Sequence, residues 1–316
     1  MKKFYITIIS LLLVGSVLAQ QEEQYTHFMY NKLGFNPGFA GSDDGPCLTA
    51  LARNQWIGLE GAPQTQLISF NTPLLNQRVG VGINILRQTI GVSENYTLDG
   101  AYAYRIQLGR GFMAMGLQAS VRLLRVNFNE LEGTQPIAAD SAIPTGLQSK
   151  YVPNFGAGLY YQAQRFYLGF SVPRLLENNI DLADSGDVIS RETRHAFFMG
   201  GLIIPLGEKV ELQPQILLKY VAGAPFDGDV NLSFIFADRF RAGVSYRLGG
   251  PRESGVGEAL SLLLGVQISD TLLFGLAYDA TLTELRKYNS GTLEGVLRYC
   301  IGGRSDSDDY VNPRFF

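Results

Sequence analysis

The chain has 316 residues, of which 46% are hydrophobic and 17% are charged, and its formal net charge at pH 7 is −3. Lys and Arg residues are scattered, so the sequence offers no basic surface for nucleic acid. Low charge with 36 Gly, 16 Tyr and 19 Phe residues is typical of a protein whose outside meets something less polar than water. On composition alone, a water-soluble β-sandwich is the alternative.

Residues 1–19 predict export. Lys2 and Lys3 precede an apolar run from Phe4 to Val17, and the chain then reads Leu-Ala before a cleavage site after Ala19. The run is too short to span a membrane as a stable helix, and no Cys follows that would carry a lipid anchor. We therefore expect a signal peptide and a protein that is periplasmic, secreted or a membrane barrel.

Residues 20–46 lack the alternation of a strand. Four large apolar residues recur there at helical spacing, and an Asn-Pro pair at Asn36 and then Gly41 break the chain. The four are Tyr25, Phe28, Met29 and Leu33. The pattern predicts a short helical or plug segment, which lies either inside a lumen or against the outside as a periplasmic arm.

From residue 47 to residue 301 the sequence predicts about 14 strands, most of them about ten residues long, which is the length that a tilted strand needs to cross a bilayer. Short connections such as 237–239 alternate with longer ones, above all 126–151 and 174–193. This alternation predicts an all-β fold, a closed antiparallel transmembrane β-barrel with periplasmic turns. An even strand count then places both chain ends in the periplasm.

The hairpin 229–248 shows the two faces of the predicted barrel. Val230 and Leu232 alternate with polar residues, and a three-residue turn pairs Phe236 with Phe240 on the same apolar row. Pro214 cannot donate to a ladder and predicts a bulge in its strand. The inward rows carry charges of both signs: Asp99, Arg105, Arg122, Glu211, Lys219, Asp229, Arg241, Arg247, Asp279, Glu294 and Arg298. These residues either pair across the lumen and hold a plug, or line a wet, ion-passing channel.

The chain has two cysteines, Cys47 at the start of the first predicted strand and Cys300 near the end of the last. Closing the barrel makes these strands neighbours, and both sulfurs point inward by strand parity. The sequence therefore predicts a disulfide across the closing seam in an oxidising compartment, with two separate buried thiols as the alternative.

Motifs of catalysis and of cofactor or metal binding are lacking in the sequence. The two histidines, His27 and His195, form no metal-binding pair, and neither a GxSxG motif nor a Walker A loop is found. We expect no enzymatic activity, no cofactor and no metal site.

Two stretches near the N-terminus carry a family resemblance. They are residues 24–42, QYTHFMYNKLGFNPGFAGS, and residues 53–65, RNQWIGLEGAPQT. Together they resemble the PorP/SprF family of Bacteroidota, which is associated with type IX secretion. Weaker matches are residues 171–175, the pair 213–214, Gly291 with Glu294, and the ending 312–316. The motif residues that become candidates for partner binding are Tyr30, Asn31, Asn36, Pro37, Arg53, Gln55, Trp56, Gly58, Gly61 and Pro63.

The resemblance implies a barrel in the outer membrane of a Gram-negative cell, surrounded by lipid and serving type IX secretion or gliding motility. Its implied partners are a large secreted surface adhesin and other secretion components, engaged through loops or the lumen. Trp56 is then either part of the docking surface or an anchor at the headgroup level. The tail, residues 302–316, is either a periplasmic docking tail or an assembly signal. The alternatives in function are a porin or transporter for small solutes and a soluble β-rich binding protein.

Overall fold

The computed structural model describes residues 22–131, 146–182, 190–249 and 257–301. The predicted signal peptide and C-terminal tail lie outside these residues. The strands are β1 (Cys47–Asn54), β2 (Gln64–Leu74), β3 (Val79–Ile90), β4 (Ser93–Leu108), β5 (Gly111–Asn127), β6 (Leu147–Ala163), β7 (Phe166–Val172), β8 (His195–Leu202), β9 (Ile204–Pro205), β10 (Val210–Val221), β11 (Asp227–Phe236), β12 (Phe240–Arg247), β13 (Ala259–Gln267), β14 (Leu272–Thr281) and β15 (Thr292–Cys300).

These strands form one closed antiparallel barrel. Neighbours in sequence are neighbours in the sheet, and β1 pairs with β15, from Cys47 opposite Cys300 to Asn54 opposite Leu293. Both β8 and β9 pair with β10, so they are two parts of one strand interrupted at Ile203. The barrel therefore has 14 strands, and the predicted fold class is confirmed.

Near Pro214 the interrupted strand is not β10, which contains Pro214, but its neighbour, made of β8 and β9. β10 keeps one continuous register with β11, in which Pro214 is opposite Leu232, so the predicted bulge in its own strand is wrong. Because Pro214 has no N–H to donate, the facing strand loses a ladder partner there. That strand is interrupted at Ile203, whose N–H donates to the Arg165 carbonyl at 2.8 Å on the opposite side, next to β7.

The connections differ between the two ends of the barrel. One end, called the short-turn end, carries the connections 75–78, 109–110, 164–165, 206–209, 237–239 and 268–271. The opposite, long-loop end carries 55–63, 91–92, 128–146, 173–194, 222–226, 248–258 and 282–291. The predicted alternation is confirmed, with the two-residue turn 91–92 as its one exception. In outer-membrane barrels the short turns face the periplasm and the long loops face outward.

The strand faces follow the period of two in the sequence. Tyr102 and Leu117 on the outward rows are exposed, while Asp99 and Arg105 on the inward rows are buried. This arrangement puts apolar side chains toward lipid and polar ones toward the lumen, because a charge on the lipid side at mid-membrane costs about 2–4 kcal/mol. None of the helical segments in the described ranges is long and apolar enough to cross a membrane.

Residues 22–46 form a plug that fills the lumen. A single short helix was expected, but the plug contains three separate 3-10 turns, Phe28–Tyr30, Lys32–Gly34 and Pro37–Phe39. The last turn begins where the Asn36 side chain accepts the N–H of Gly38 at 2.8 Å. Large apolar residues of the plug, such as Phe28 and Leu33, are almost completely buried. The barrel core thus lies between the plug and the inward rows.

The plug backbone packs directly on the barrel wall at two glycines. A Cβ atom on Gly80 would lie 1.9 Å from the Ala40 carbonyl oxygen, and one on Gly116 would lie 2.2 Å from the Gly38 nitrogen. Only glycine permits such close backbone approach. These positions therefore fix where the plug lies.

The plug runs from the long-loop half toward the short-turn end. Its first described residue, Glu22, contacts Arg122 near the outer end of β5, whereas Asp43 contacts Arg298 near the inner end of β15. The start of the described chain therefore lies in the outer half of the lumen. This corrects the expectation that the N-terminal end lies in the periplasm. That expectation was derived from the strand count alone.

Candidate functional site: the plugged lumen and the outer motif loop

A buried ion cluster joins the barrel seam to the plug. Arg53 contacts Asp279 at 2.7 Å and Glu294 at 2.9 Å. Glu294 also accepts the backbone N–H of Thr26 at 2.9 Å and of His27 at 2.7 Å. All five side chains are buried. Charges removed from water need such partners, and here the partners come from both the wall and the plug.

The cluster continues along the wall. Arg247 lies 3.0 Å from Asp229 and 3.7 Å from Asp279, so one carboxylate serves two guanidinium groups. Lys219 and Asp227 form a further pair at 2.8 Å. Opposite charges on the inward rows thus neutralise one another, as expected if these residues pair across the lumen and hold a plug.

A second cluster ties the plug to the connection 173–194. Glu22 pairs with Arg174 and lies 3.4 Å from Arg122, which in turn lies 3.2 Å from Glu192. Burial alone would raise the pKa of Glu22, a plug residue, but the two guanidinium groups hold its pKa well below the ordinary value. Because Arg174 and Glu192 belong to the two described ends of that connection, these ends are fixed to the plug through charge.

The other predicted lumen residues have diverse partners. Asp99 accepts the Ser120 hydroxyl at 2.6 Å, and Glu211 is half-buried near the short-turn end. Arg105 donates to the Gly41 carbonyl, and Arg298 pairs with Asp43. All lie on inward-facing rows of the barrel.

Lys32 in the plug has an unusual environment. Its Nζ lies 4.5 Å from the ring centre of Tyr167 and 5.2 Å from that of Phe39, and the side chain is inaccessible to solvent. Burial lowers the pKa of Lys32 well below its ordinary value. Nearby, the Arg241 guanidinium lies 5.1 Å from the Tyr30 ring centre. Both cations thus lie over aromatic faces, which attract positive charge.

Sequence reasoning missed several charged partners, which are Glu22, Asp43, Arg174, Glu192 and Asp227. All lie in the plug, in a connection or at the first residue of a strand. There the period of two does not assign a face, so no signal in one sequence marks them as inward.

The seam is also closed covalently. Cys47 and Cys300 are Cα partners in the β1–β15 ladder, with their Cα atoms 4.1 Å apart, and they form a disulfide. It lies at the short-turn end beside Arg298, whose Nη2 is 3.9 Å from the Cys47 sulfur.

The first family motif is internal. Tyr30, Asn31, Asn36 and Pro37 are buried in the plug. The Asn36 amide donates to the Leu159 carbonyl at 2.9 Å and so fixes the plug to β6. These candidates for partner binding are therefore not accessible to a partner, and Arg53 of the second motif is likewise inside the lumen.

The second motif forms an open pocket at the long-loop end. The pocket has a volume of about 390 Å³. Gln55, Trp56, Gly58 and Gly61 line it, and Pro63 closes the loop by accepting the N–H of Gln55 at 2.9 Å. Trp56 has a φ of 46°, a conformation that non-glycine residues rarely adopt.

The motif loop, residues 55–63, is held from two sides. Ile57 donates its N–H to the Gly291 carbonyl at 2.8 Å and accepts that of Ser290 at 2.7 Å. Gly91 donates to the Gly61 carbonyl at 2.9 Å. The pocket is therefore a preformed feature of three neighbouring connections. Among the described residues, no group of His, Cys, Asp and Glu has the arrangement of a metal site.

A closed 14-stranded antiparallel barrel with an apolar outside and a filled, charged lumen defines an outer-membrane β-barrel protein. The chain belongs to the family described as type IX secretion system membrane protein PorP/SprF, whose model matches residues 17–299. No curated protein matches the chain.

Solved structures with a similar fold include two transport proteins. The CymD monoaromatic hydrocarbon channel has a TM-score of 0.54 and 11% identity, over 87% of this chain and 93% of that one. The TodX deltaS2S3 mutant monoaromatic hydrocarbon channel has a TM-score of 0.50 and 13% identity, over 86% of this chain and 94% of that one. At this identity the likeness concerns the fold alone.

Proposed function

We propose that this protein is a non-conducting accessory barrel of type IX secretion that binds a large secreted surface adhesin at its long-loop end. It assists the export or surface attachment of that adhesin, including attachment for gliding motility. The observation that carries the proposal is the pairing of a filled lumen with an open, preformed pocket built from the family motif.

The lining of the pocket suits a polypeptide. None of its lining residues is charged, and it combines apolar walls at Trp56, Ile57 and Leu59 with the amide of Gln64 and the hydroxyl of Thr89. Concave sites of about 300–1,000 Å³ with apolar walls and a few polar groups are typical of small-ligand and side-chain recognition. An apolar or aromatic side chain of the adhesin fits this chemistry better than an ion does.

The test is quantitative co-purification from the native outer membrane in mild detergent. Leu59→Asp places a charge in the pocket, and we expect it to abolish recovery of the secreted protein. Leu75→Asp is the matched control, because Leu75 is exposed at the opposite, short-turn end. Equal recovery with both variants, or a wild-type barrel that always purifies alone, would contradict docking at this pocket.

A further inference from the structure

Exposed charges are distributed unevenly around the short-turn end of the barrel. Three consecutive turns there, which join β2 to β3, β4 to β5 and β6 to β7, each carry one exposed arginine. The stretches of chain around these turns, residues 61–92, 100–129 and 155–176, contain no Asp or Glu. The three arginines, which we call the cationic arc, are Arg78, Arg110 and Arg165.

The other side of the short-turn end has mixed charge. In its three turns, two exposed cations are accompanied by three exposed acidic residues. Phospholipid surrounds a barrel on all sides, so arginines that bind lipid phosphate should also be present on all sides. The one-sided positive charge indicates a local anionic partner. The residues of the mixed side are Glu208, Lys209, Asp238, Arg239 and Asp270.

The cationic arc is accessible and unpaired. The side chains of Arg78, Arg110 and Arg165 form no hydrogen bond or ion pair with any residue that the structure describes. Arg165 in addition lies within electrostatic range of Glu211, which is half-buried. An anionic group can therefore bind to the arc from the periplasm without first breaking an existing pair.

The sequence that follows β15 contains an acidic segment. Residues 305–310, which lie outside the described residues, read SDSDDY and include three Asp and no Lys or Arg. The segment begins four residues after Ile301, whose N–H donates to the Pro46 carbonyl at 2.8 Å at the short-turn end. It is therefore attached to the same end of the barrel as the arc.

We propose that the acidic segment, residues 305–310, binds to the cationic arc on the periplasmic face of the barrel, with Arg78 as its first partner. Each exposed ion pair is weak, but a short tether gives the segment an effective concentration on the order of 1 mM at the arc. The proposal does not depend on docking at the outer pocket.

The tether is long enough for this contact. Arg78 lies three strand intervals and three residues along the ladder from Ile301, which corresponds to about 18 Å. The seven residues from Ile301 to Asp308 span about 24 Å when fully extended. Asp309 extends the reach by about 3 Å, toward the turn that carries Arg110.

Arg239 provides a control at the same distance on the mixed side. It also lies three strand intervals and three residues along the ladder from Ile301, again about 18 Å. Both arginines are exposed, but Arg239 follows an acidic residue, Asp238. If reach alone decided the contact, the acidic segment would visit both arginines equally.

The experiment is carbodiimide cross-linking of the full-length protein, with the joined peptides identified by mass spectrometry. Carbodiimide joins a carboxylate to an amine, so Arg78→Lys keeps the positive charge and adds the reactive group. We expect its amine to be joined to Asp306, Asp308 or Asp309. The yield should exceed that of Arg239→Lys roughly five-fold, because several weak pairs act together on the arc.

Two further measurements test whether charge causes the contact. The triple variant D306N/D308N/D309N should lose the product, and about 1 M NaCl should reduce it because the Debye length falls to about 3 Å. Equal yields for Arg78→Lys and Arg239→Lys, or no product in either, would overturn the proposal. A product that forms in detergent but not in vesicles containing phosphatidylglycerol would also overturn it, because lipid phosphate would then occupy the arc.

Discussion

Arg53 and Glu294 face each other across the barrel seam, with 2.9 Å between Nη1 and Oε2. They are Cα partners in the ladder between the first and last strands, and both are buried. Because Glu294 also accepts the backbone N–H groups of Thr26 and His27, one carboxylate joins both ends of the barrel to the plug.

Replacing Glu294 with Gln tests this junction. The variant keeps the shape but leaves Arg53 with Asp279 as its remaining carboxylate. Breaking a buried pair costs about 3–5 kcal/mol, and we expect about 3 kcal/mol here because Asp279 still contacts Arg53. Denaturant unfolding in detergent measures the loss.

The matched control is Glu94→Gln. Glu94 contacts Arg87 at 2.7 Å, but both side chains are partly exposed, so water screens the pair and its loss should cost much less stability than the loss of the seam pair. Equal losses in the two variants would mean that the seam pair is not the link between barrel and plug.

The close packing of the plug on the wall gives a second prediction. A side chain at Gly116 overlaps the plug backbone, so Gly116→Val should displace the plug and expose Lys32. Limited trypsin digestion then cleaves after Lys32, which is inaccessible in the wild type. Gly100→Val is the control, because a Cβ atom there meets nothing within 4 Å. Cleavage in the control, or its absence in Gly116→Val, would refute this placement of the plug.

Removing the disulfide should weaken the barrel without opening it. The ladder between β1 and β15 remains in a C47S/C300S variant, so we expect the barrel to fold with a free energy of unfolding lower by about 2–4 kcal/mol. Titration of the denatured wild type without reductant should detect no free thiol. Two free thiols would show that the bridge does not form in the cell.

The backbone of Trp56 predicts a conflict between stability and binding. Its φ of 46° strains a non-glycine residue by about 1–3 kcal/mol. Trp56→Gly should therefore unfold no earlier than the wild type, while recovery of the secreted protein decreases because one wall of the pocket is lost. A lower unfolding temperature would instead assign Trp56 a mainly structural role.

The sequence predicts the wall of this protein better than its interior. Strand count and faces follow from the period of two, and the hairpin pairing of Phe236 with Phe240 follows from turn parity. The plug has no such period, so its three separate turns and its direction were not predictable. Asp43 and Glu192 find their partners only through the tertiary path of the chain.

The motif residues show the same limit. A motif in sequence does not say which of its members face a partner, and here Asn31, Asn36 and Arg53 are internal whereas Trp56 lines a pocket. The difference arises because the plug enters the lumen before β1 begins, and because Arg53 is the last inward position of that strand.

Conductance of the full-length protein in a planar bilayer tests most directly the claim that this barrel docks a partner and does not conduct. The account predicts no steady current from the wild type. It predicts an open channel after deletion of residues 22–45, and this current is the control that the emptied lumen is wide enough to conduct. A steady current through the wild type would contradict the account and favour a channel for small solutes.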